Sequence, residues 1–302
     1  MLAIQFDRFG GPDVLSPVEL ASPVPGPGEV LLTVEAAGVN FADTHQADGS
    51  YLDASALPFV PGSEVVGRTP DGRRVLARVS RGYAEQVTAE ESGLLDIPED
   101  LDAAAALALM VQGLTAWHLL RSAARIRPGE SVVVHSAAGG VGSLAVQLAR
   151  EFGAGRVLAQ VSAPAKERLV LGLGADAVTG YPLAEKADII LDAVGGELFD
   201  RALGSLASFG RLVTYGSAAR TGFTPVDPAL LGRLNASVVG FWLRPTLMLP
   251  GMVTGPLEEL FALAAAGRLR PVTGGSYPLA EARRAHEDLL ARRTTGKLIL
   301  TP

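Results

Sequence analysis

Apolar residues recur along this chain with two different periods, and the change of period near Leu101 divides it. Before that point Leu2–Phe6, Glu29–Ala37 and Tyr83–Thr88 predict short strands, broken by Pro- and Gly-rich stretches such as Ser22-Pro23-Val24-Pro25-Gly26-Pro27-Gly28. Strands punctuated in this way predict a compact β-barrel-like domain. Beyond Leu101, alanine-rich helical sequence runs through Gln112–Leu120. Strands at Ser131–His135, Arg156–Val161, Asp188–Ala193 and Arg211–Tyr215 then alternate with helices. Alternation at that spacing predicts parallel strands joined by crossover helices. Ser237–Leu243, helices over Pro256–Gly267 and Leu279–Arg292, and a strand over Lys297–Leu300 complete the pattern. The fold class expected is α/β. A β-rich domain spans 1–108, with 244–302 returning to it, and a doubly wound parallel-sheet domain spans 109–243.

Candidate chemistry begins with Ser131–Gly142, SVVVHSAAGGVG. A Pro-Gly turn at Arg127–Glu130 feeds the strand, because Pro presets φ and Gly supplies a positive φ. After the strand comes Ala137-x-Gly139-x-x-Gly142, a dinucleotide fingerprint with Ala for its first Gly. From Val141 the apolar residues fall at helical spacing, through Leu144, Ala145, Leu148, Ala149 and Phe152. Strand, glycine turn and amphipathic helix form the context in which backbone can approach a pyrophosphate and helix N–H groups can face it. Ala138, Gly139, Gly140, Val141 and Gly142 are the candidate cofactor-binding residues there.

Composition narrows the function. The chain has 302 residues, enough for two domains, and its 48% hydrophobic and 19% charged content is that of a globular protein. A net charge of −6 provides no electrostatic footprint for nucleic acid. No cysteine is present, which removes disulfides, thiolate zinc sites and a catalytic thiol, and points to a cytoplasmic protein. Met1–Asp7 lacks a basic region followed by an apolar one, so no secretory signal is expected. The longest apolar run, Ala103–Val111, falls short of the roughly 20 residues a bilayer needs, so no membrane association is expected.

Several motifs in order carry a family resemblance: Gly38-Val39-Asn40-Phe41-Ala42-Asp43, Pro61-Gly62-Ser63-Glu64-Val65-Val66-Gly67, Gly113-Leu114-Thr115-Ala116, Ala137–Gly142 and Thr295-Gly296-Lys297-Leu298. Over nearly its whole length the chain resembles the zinc-independent medium-chain dehydrogenases/reductases, specifically the NADPH:quinone oxidoreductases of the zeta-crystallin-like group. The resemblance implies a GroES-like catalytic domain, a Rossmann domain and an active site in the cleft between them. Zinc-dependent relatives carry a Cys near Phe41, a Gly-His-Glu where this chain reads Gly62-Ser63-Glu64, and a cysteine-rich lobe that is absent here. With Cys and His both lost, the three protein ligands of a catalytic zinc are not available, and no metal is expected.

Nucleotide choice is read after the second strand. NAD readers place a carboxylate there, whereas NADP readers remove it and supply cations. Here Ser162-Ala163-Pro164-Ala165-Lys166 follows Arg156–Val161. The resemblance places Ser162, Lys166, Tyr181 and Arg292 around the 2′-phosphate, so NADPH is the expected cofactor. It also places Gly216 and Ser217 at the nicotinamide end and Asn40 beside nicotinamide and substrate, although Asn40 equally suits an N-cap. No Ser–His–Asp order, paired carboxylates or HExxH motif appears. Of four histidines, His118, His135 and His286 read as structural, and His45 stands where many relatives have Tyr.

That scarcity agrees with hydride supplied by a nicotinamide to an acceptor needing little acid. Tyr51 matches a proton-donating tyrosine of enoyl reductase relatives, and an ordinary phenol is protonated at neutral pH. The expected reaction is reduction of a quinone. Two alternatives stay open: reduction of an enone or enoyl thioester, and a structural or regulatory NADPH-binding protein without turnover. Arg73, Arg74, Arg78 and Arg81 form the one local basic cluster, read as solvated hairpin charges. In the family, the strand corresponding to Ser237–Leu243 pairs across a dimer axis, so a homodimer is expected.

Overall fold

Glycine and proline keep the first strands short, and β-branched runs set where they lie. The chain forms β1 (Leu2–Gln5), β2 (Ser16–Glu19), β3 (Glu29–Val39), β4 (Glu64–Arg68), β5 (Arg74–Arg78), β6 (Gln86–Glu90) and β7 (Leu95–Asp96). Next come β8 (Ser131–Val134), β9 (Arg156–Ala159), β10 (Ala177–Val178), β11 (Ala187–Asp192), β12 (Leu206–Thr214) and β13 (Ser237–Gly240). It closes with β14 (Thr273–Pro278) and β15 (Lys297–Thr301). This computed structural model describes residues 1–302 other than Ala54 and Phe223. They divide into two units, one of Met1–Met110 with Val272–Pro302 and one of Val111–Pro271.

In the first unit β3 is the hub. It pairs antiparallel with β4, β6 and β15, within a sheet of order β14-β15-β3-β4-β5-β7. A register shift between Val34 and Ala36 bends β3 so that one strand serves three partners. Ile4, Phe6, Leu32, Val65, Tyr83, Leu298 and Leu300 fill the core beneath it, joined by Ala282 and Ala285 of the helix Ala282–Leu290.

The second unit holds an all-parallel sheet of order β10-β9-β8-β11-β12-β13. Winding reverses between β8 and β11, the point at which doubly wound sheets bind ligands beyond their carboxyl ends. Val132–Val134 and Ile189–Leu191 are buried on both faces, as near-continuous apolar runs in a parallel sheet require. β13 is the outer strand of this sheet.

One sequence expectation needs correction. The segment 244–271 stays with the second unit rather than returning to the first. Helix Thr254–Ala265 buries Leu257, Leu260 and Leu263, and its Glu259 accepts the Trp117 indole N–H at 2.7 Å, while His118 Nε2 bonds the Met252 carbonyl at 2.8 Å. Those contacts all lie in the second unit. Ala103–Ala124 forms a 22-residue helical stretch that by length and composition alone could cross a membrane, yet 78% of its most apolar window is buried, as in a core helix.

Helix Gly140–Glu151 begins against the turn that follows β8. A Cβ on Gly142 would fall 2.3 Å from the Ser136 carbonyl oxygen and 2.8 Å from Ala137 Cα, both backbone, whereas a Cβ on Gly172 would meet nothing within 4 Å. Gly142→Ala should therefore lower stability by about 1–3 kcal/mol through overpacking. Gly172→Ala should leave it unchanged or raise it by up to about 1 kcal/mol. Thermal unfolding of the two variants checks this; equal effects would show that the close approach at Gly142 does not constrain the fold.

Candidate active site

At the end of β8 the chain turns sharply. Ser136 takes a φ of 50° and its carbonyl accepts the Gly139 N–H at 2.8 Å. Gly139 then sits extended (φ −78°, ψ 179°) as N-cap of the twelve-residue helix Gly140–Glu151. The first backbone N–H groups of that helix have no intrahelical acceptor and carry its positive end. Ala138 is buried, Val141 half-buried, and a Cβ on Gly140 would fall 2.2 Å from the Gln112 amide. Ala137 N–H donates to the Gln160 carbonyl at 3.0 Å, tying the turn to the end of β9. Bare backbone around free N–H groups suits a pyrophosphate, so this turn fits the dinucleotide its sequence predicts.

Beside it, the segment after β9 carries exposed Ser162 and half-buried Lys166, the latter ending a single helical turn over Pro164–Lys166. Ala163 rather than Ser162 holds the N-cap position of that turn. Beyond β12, Gly216 passes so close to β11 that a Cβ would lie 2.7 Å from the Ala193 carbonyl oxygen, with Ser217 next in line. Tyr181, in the segment after β10, shares a 2.7 Å hydrogen bond with His135 Nε2, and His135 Nδ1 lies 2.9 Å from Asp192 Oδ1. Burial, and then the charge of Asp192, push the Tyr181 phenol above its ordinary pKa. Arg292, exposed and with a φ of 58°, lies in the first unit, unlike Ser162, Lys166 and Tyr181.

In the first unit Asn40 precedes helix Phe41–Asp48 at the N-cap position, and its own N–H donates to Asp43 Oδ2 at 2.8 Å. Its side chain has further partners. Asn40 Nδ2 donates to Glu64 Oε1 at 2.8 Å and its Oδ1 accepts from Lys297 Nζ at 3.1 Å. Lys297 and Glu64 also pair directly, both wholly buried. The amide orientation of Asn40 is thereby set by an anion on one side and a cation on the other. Tyr51 is half-buried in the bend after the same helix, its N–H donating to the His45 carbonyl at 3.1 Å.

A second polar chain adjoins this one. Tyr83 donates its hydroxyl hydrogen to Asp43 Oδ2 at 2.8 Å, and its oxygen lies 3.2 Å from His286 Nε2. Sequence reasoning did not single out Glu64, Lys297, Asp43 or Tyr83 as functional; a lysine heading the apolar run Leu298–Leu300 was the one available signal. His118, His135 and His286 are all buried, and burial lowers the pKa of His118. Arg74 corrects the picture of solvated hairpin charges. Only 8% of its side chain is exposed, and it bonds Glu35 at 2.8 Å and the Pro98 and Leu101 carbonyls. Among the described residues, no group of three or more His, Cys, Asp or Glu side chains is placed to hold a metal ion.

Burial raises the Asp43 carboxyl from 3.8 to about 6, against hydrogen bonds from Asn40 N–H and Tyr83 that lower it. Folding thus favours the protonated form. That contribution is full below about pH 4 and is lost as pH rises through about 6, a change on the order of 3 kcal/mol. Asp43→Asn keeps an oxygen for both donors and cannot ionise. Between pH 4 and 7 the parent should lose stability relative to this variant by that amount in denaturant titrations; a pH-independent difference would contradict the assignment.

Comparison with known proteins accords with this geometry. Residues 26–82 match the alcohol dehydrogenase GroES-like domain and residues 170–300 the zinc-binding dehydrogenase model. A quinone oxidoreductase of Pseudomonas aeruginosa is 34% identical, with 99% of each chain covered. Among solved structures, the quinone oxidoreductase of Thermus thermophilus, also solved as its NADPH complex, superposes with a TM-score of 0.91 at 42% identity over the whole of both chains. A mycobacterial protein complexed with NADPH reaches a TM-score of 0.93 at 36% identity, again over both whole chains. The fold is a GroES-like β unit with a Rossmann-type parallel sheet, and the chain belongs to the quinone oxidoreductase family of medium-chain dehydrogenases/reductases.

Proposed function

We propose that this protein is a zinc-independent oxidoreductase that reduces quinones with NADPH. The observation that carries the reading is the pairing of a Cβ-free turn at Gly139–Gly142 with a segment after β9 that bears Ser162 and Lys166 in place of a carboxylate. In this reading the backbone of Ala138, Gly139, Gly140, Val141 and Gly142 holds the pyrophosphate. Ser162, Lys166 and Tyr181 hold the 2′-phosphate, and the backbone at Gly216 and Ser217 receives the nicotinamide end. When bound, NADPH supplies the hydride. Asn40, fixed by Glu64 and Lys297, presents its amide to the acceptor or the nicotinamide, and Tyr51 holds the proton that the acceptor oxygen takes. The Cys- and His-free ligand positions leave no donor set for zinc, so polarisation falls to these hydrogen bonds.

Tyr51 also supports a second reading, reduction of an α,β-unsaturated carbonyl, because an enolate needs a proton donor more than a delocalised quinol anion does. For the assembly we propose a cytoplasmic homodimer joined along β13. Its Val238 and Val239 are only half-buried at the outer edge of the sheet, and an apolar edge of this kind is a liability unless paired.

Rapid mixing of the protein with NADPH and a panel of quinones, enones and enoyl thioesters tests the activity. Loss of reduced-nicotinamide absorbance fastest with quinones is expected; no turnover with any acceptor would leave a binding protein. Lys166→Ala should raise KM for NADPH on the order of tenfold, the loss of about 1.4 kcal/mol of charge-assisted bonding, with little change for NADH. Equal effects on both nucleotides would remove Lys166 from the phosphate site.

A further inference from the structure

We infer that His135, held by Asp192 behind the Tyr181 phenol, is a positioning residue that takes up a proton when the 2′-phosphate binds, so that recognition of NADPH over NADH is proton-linked. The inference rests on the reading of Tyr181 as a phosphate contact.

His135 follows β8 and Asp192 ends β11, so they stand side by side where the winding of the sheet reverses. Both are wholly buried. Asp192 Oδ1 lies 2.9 Å from His135 Nδ1, and its carboxylate accepts the Val194 N–H at 3.0 Å and the Gly195 N–H at 3.1 and 3.2 Å. A carboxylate can only accept, so Nδ1 carries the ring hydrogen. In a neutral imidazole Nε2 is then an acceptor, and the hydrogen on the 2.7 Å line to Tyr181 belongs to the phenol. Tyr181 therefore commits its one proton inward and turns only lone pairs to a ligand.

A phosphate oxygen is an acceptor too. Two acceptors would face each other, beside a cluster whose charge is that of Asp192. One proton added from solvent at His135 Nε2 relieves both problems. Nε2–H then donates to the phenol oxygen, the phenol hydrogen turns to the phosphate, and the imidazolium balances the carboxylate. The ligand loses no proton and no bond is broken. NADH, with a ribose hydroxyl that can itself donate, makes no such demand. The groups in contact with His135 are Asp192 from β11 and Tyr181 from the segment after β10, while Tyr215, half-buried after β12, lies close enough to Asp192 to feel its charge. Gln160, at the end of β9, adds an uncharged side chain whose Oε1 lies 3.4 Å from the Ser136 N–H.

Calorimetric titration of the unaltered protein with NADPH and with NADH, at pH 7.5 in buffers of differing protonation enthalpy, tests the inference. A ribose phosphate has its second ionisation near about 6, so the ligand contributes little at that pH. Uptake approaching ~1 proton per site is expected with NADPH and none with NADH. His135→Gln should abolish that difference and weaken NADPH about tenfold while leaving NADH within about twofold. Equal proton uptake with both nucleotides, or none with either, would overturn the inference. Tyr181→Phe separates the two failures. If it weakens NADPH alone while the unaltered protein takes up no proton, the proton linkage falls and the phosphate contact stands. If it leaves NADPH binding unchanged, the phosphate reading of Tyr181 falls and the inference with it.

Discussion

The closest backbone approach in the second unit is the one on which its binding chemistry depends. At Gly142 the first turn of helix Gly140–Glu151 presses on the Ser136 carbonyl, and only a residue without Cβ leaves that distance intact. The approach aims the positive end of a twelve-residue helix over the carboxyl end of β8. His135, one residue beyond the strand, is held beside Asp192 by the pairing of β8 with β11. Move the helix outward by the width of a methyl group, and the free N–H groups no longer converge on one place. The Gly216 approach to Ala193 does the same for the end of β12.

The first unit carries a constraint of a different kind. Glu64 and Lys297 are buried together, and Asn40 lies between their charges. Removing either member alone would leave an uncompensated buried charge, typically a loss of about 3–5 kcal/mol. Such a pair adds less to stability than to specificity. It fixes which end of the Asn40 amide points where, a fact no rotamer preference supplies. The Asp192–His135–Tyr181 chain does comparable work in the parallel sheet: three side chains from separate segments adopt one hydrogen-bond polarity because a carboxylate at one end permits only one.

Much of the frame was legible in the sequence. Val132–Val134 and Ile189–Leu191 read as buried parallel strands because their apolar runs are continuous, and the glycines after β8 announced a tight turn into a helix. What escaped follows from physics. β10 has two residues, Ala177–Val178, too few for any periodicity to register. The return point of the chain lies at Val272 rather than 244, because amphipathicity reveals that helix Thr254–Ala265 has a buried face but not against what. Lys297 meets Glu64 across 233 positions and Tyr181 meets His135 across 46, and pairings of that range leave no local trace. Arg74 read as a solvated charge because its neighbours Arg73 and Arg78 are surface arginines; its partners Glu35, Pro98 and Leu101 come from distant strands and loops.

The central claim is that a metal-free pocket seats a phosphorylated dinucleotide on the Gly139–Gly142 turn. The most direct test is a crystal structure of the complex with NADPH. The pyrophosphate should lie against the N–H groups that open helix Gly140–Glu151, with the 2′-phosphate in contact with Ser162 and Lys166. A dinucleotide bound elsewhere, or one seated there with Lys166 turned to bulk water, would contradict the account.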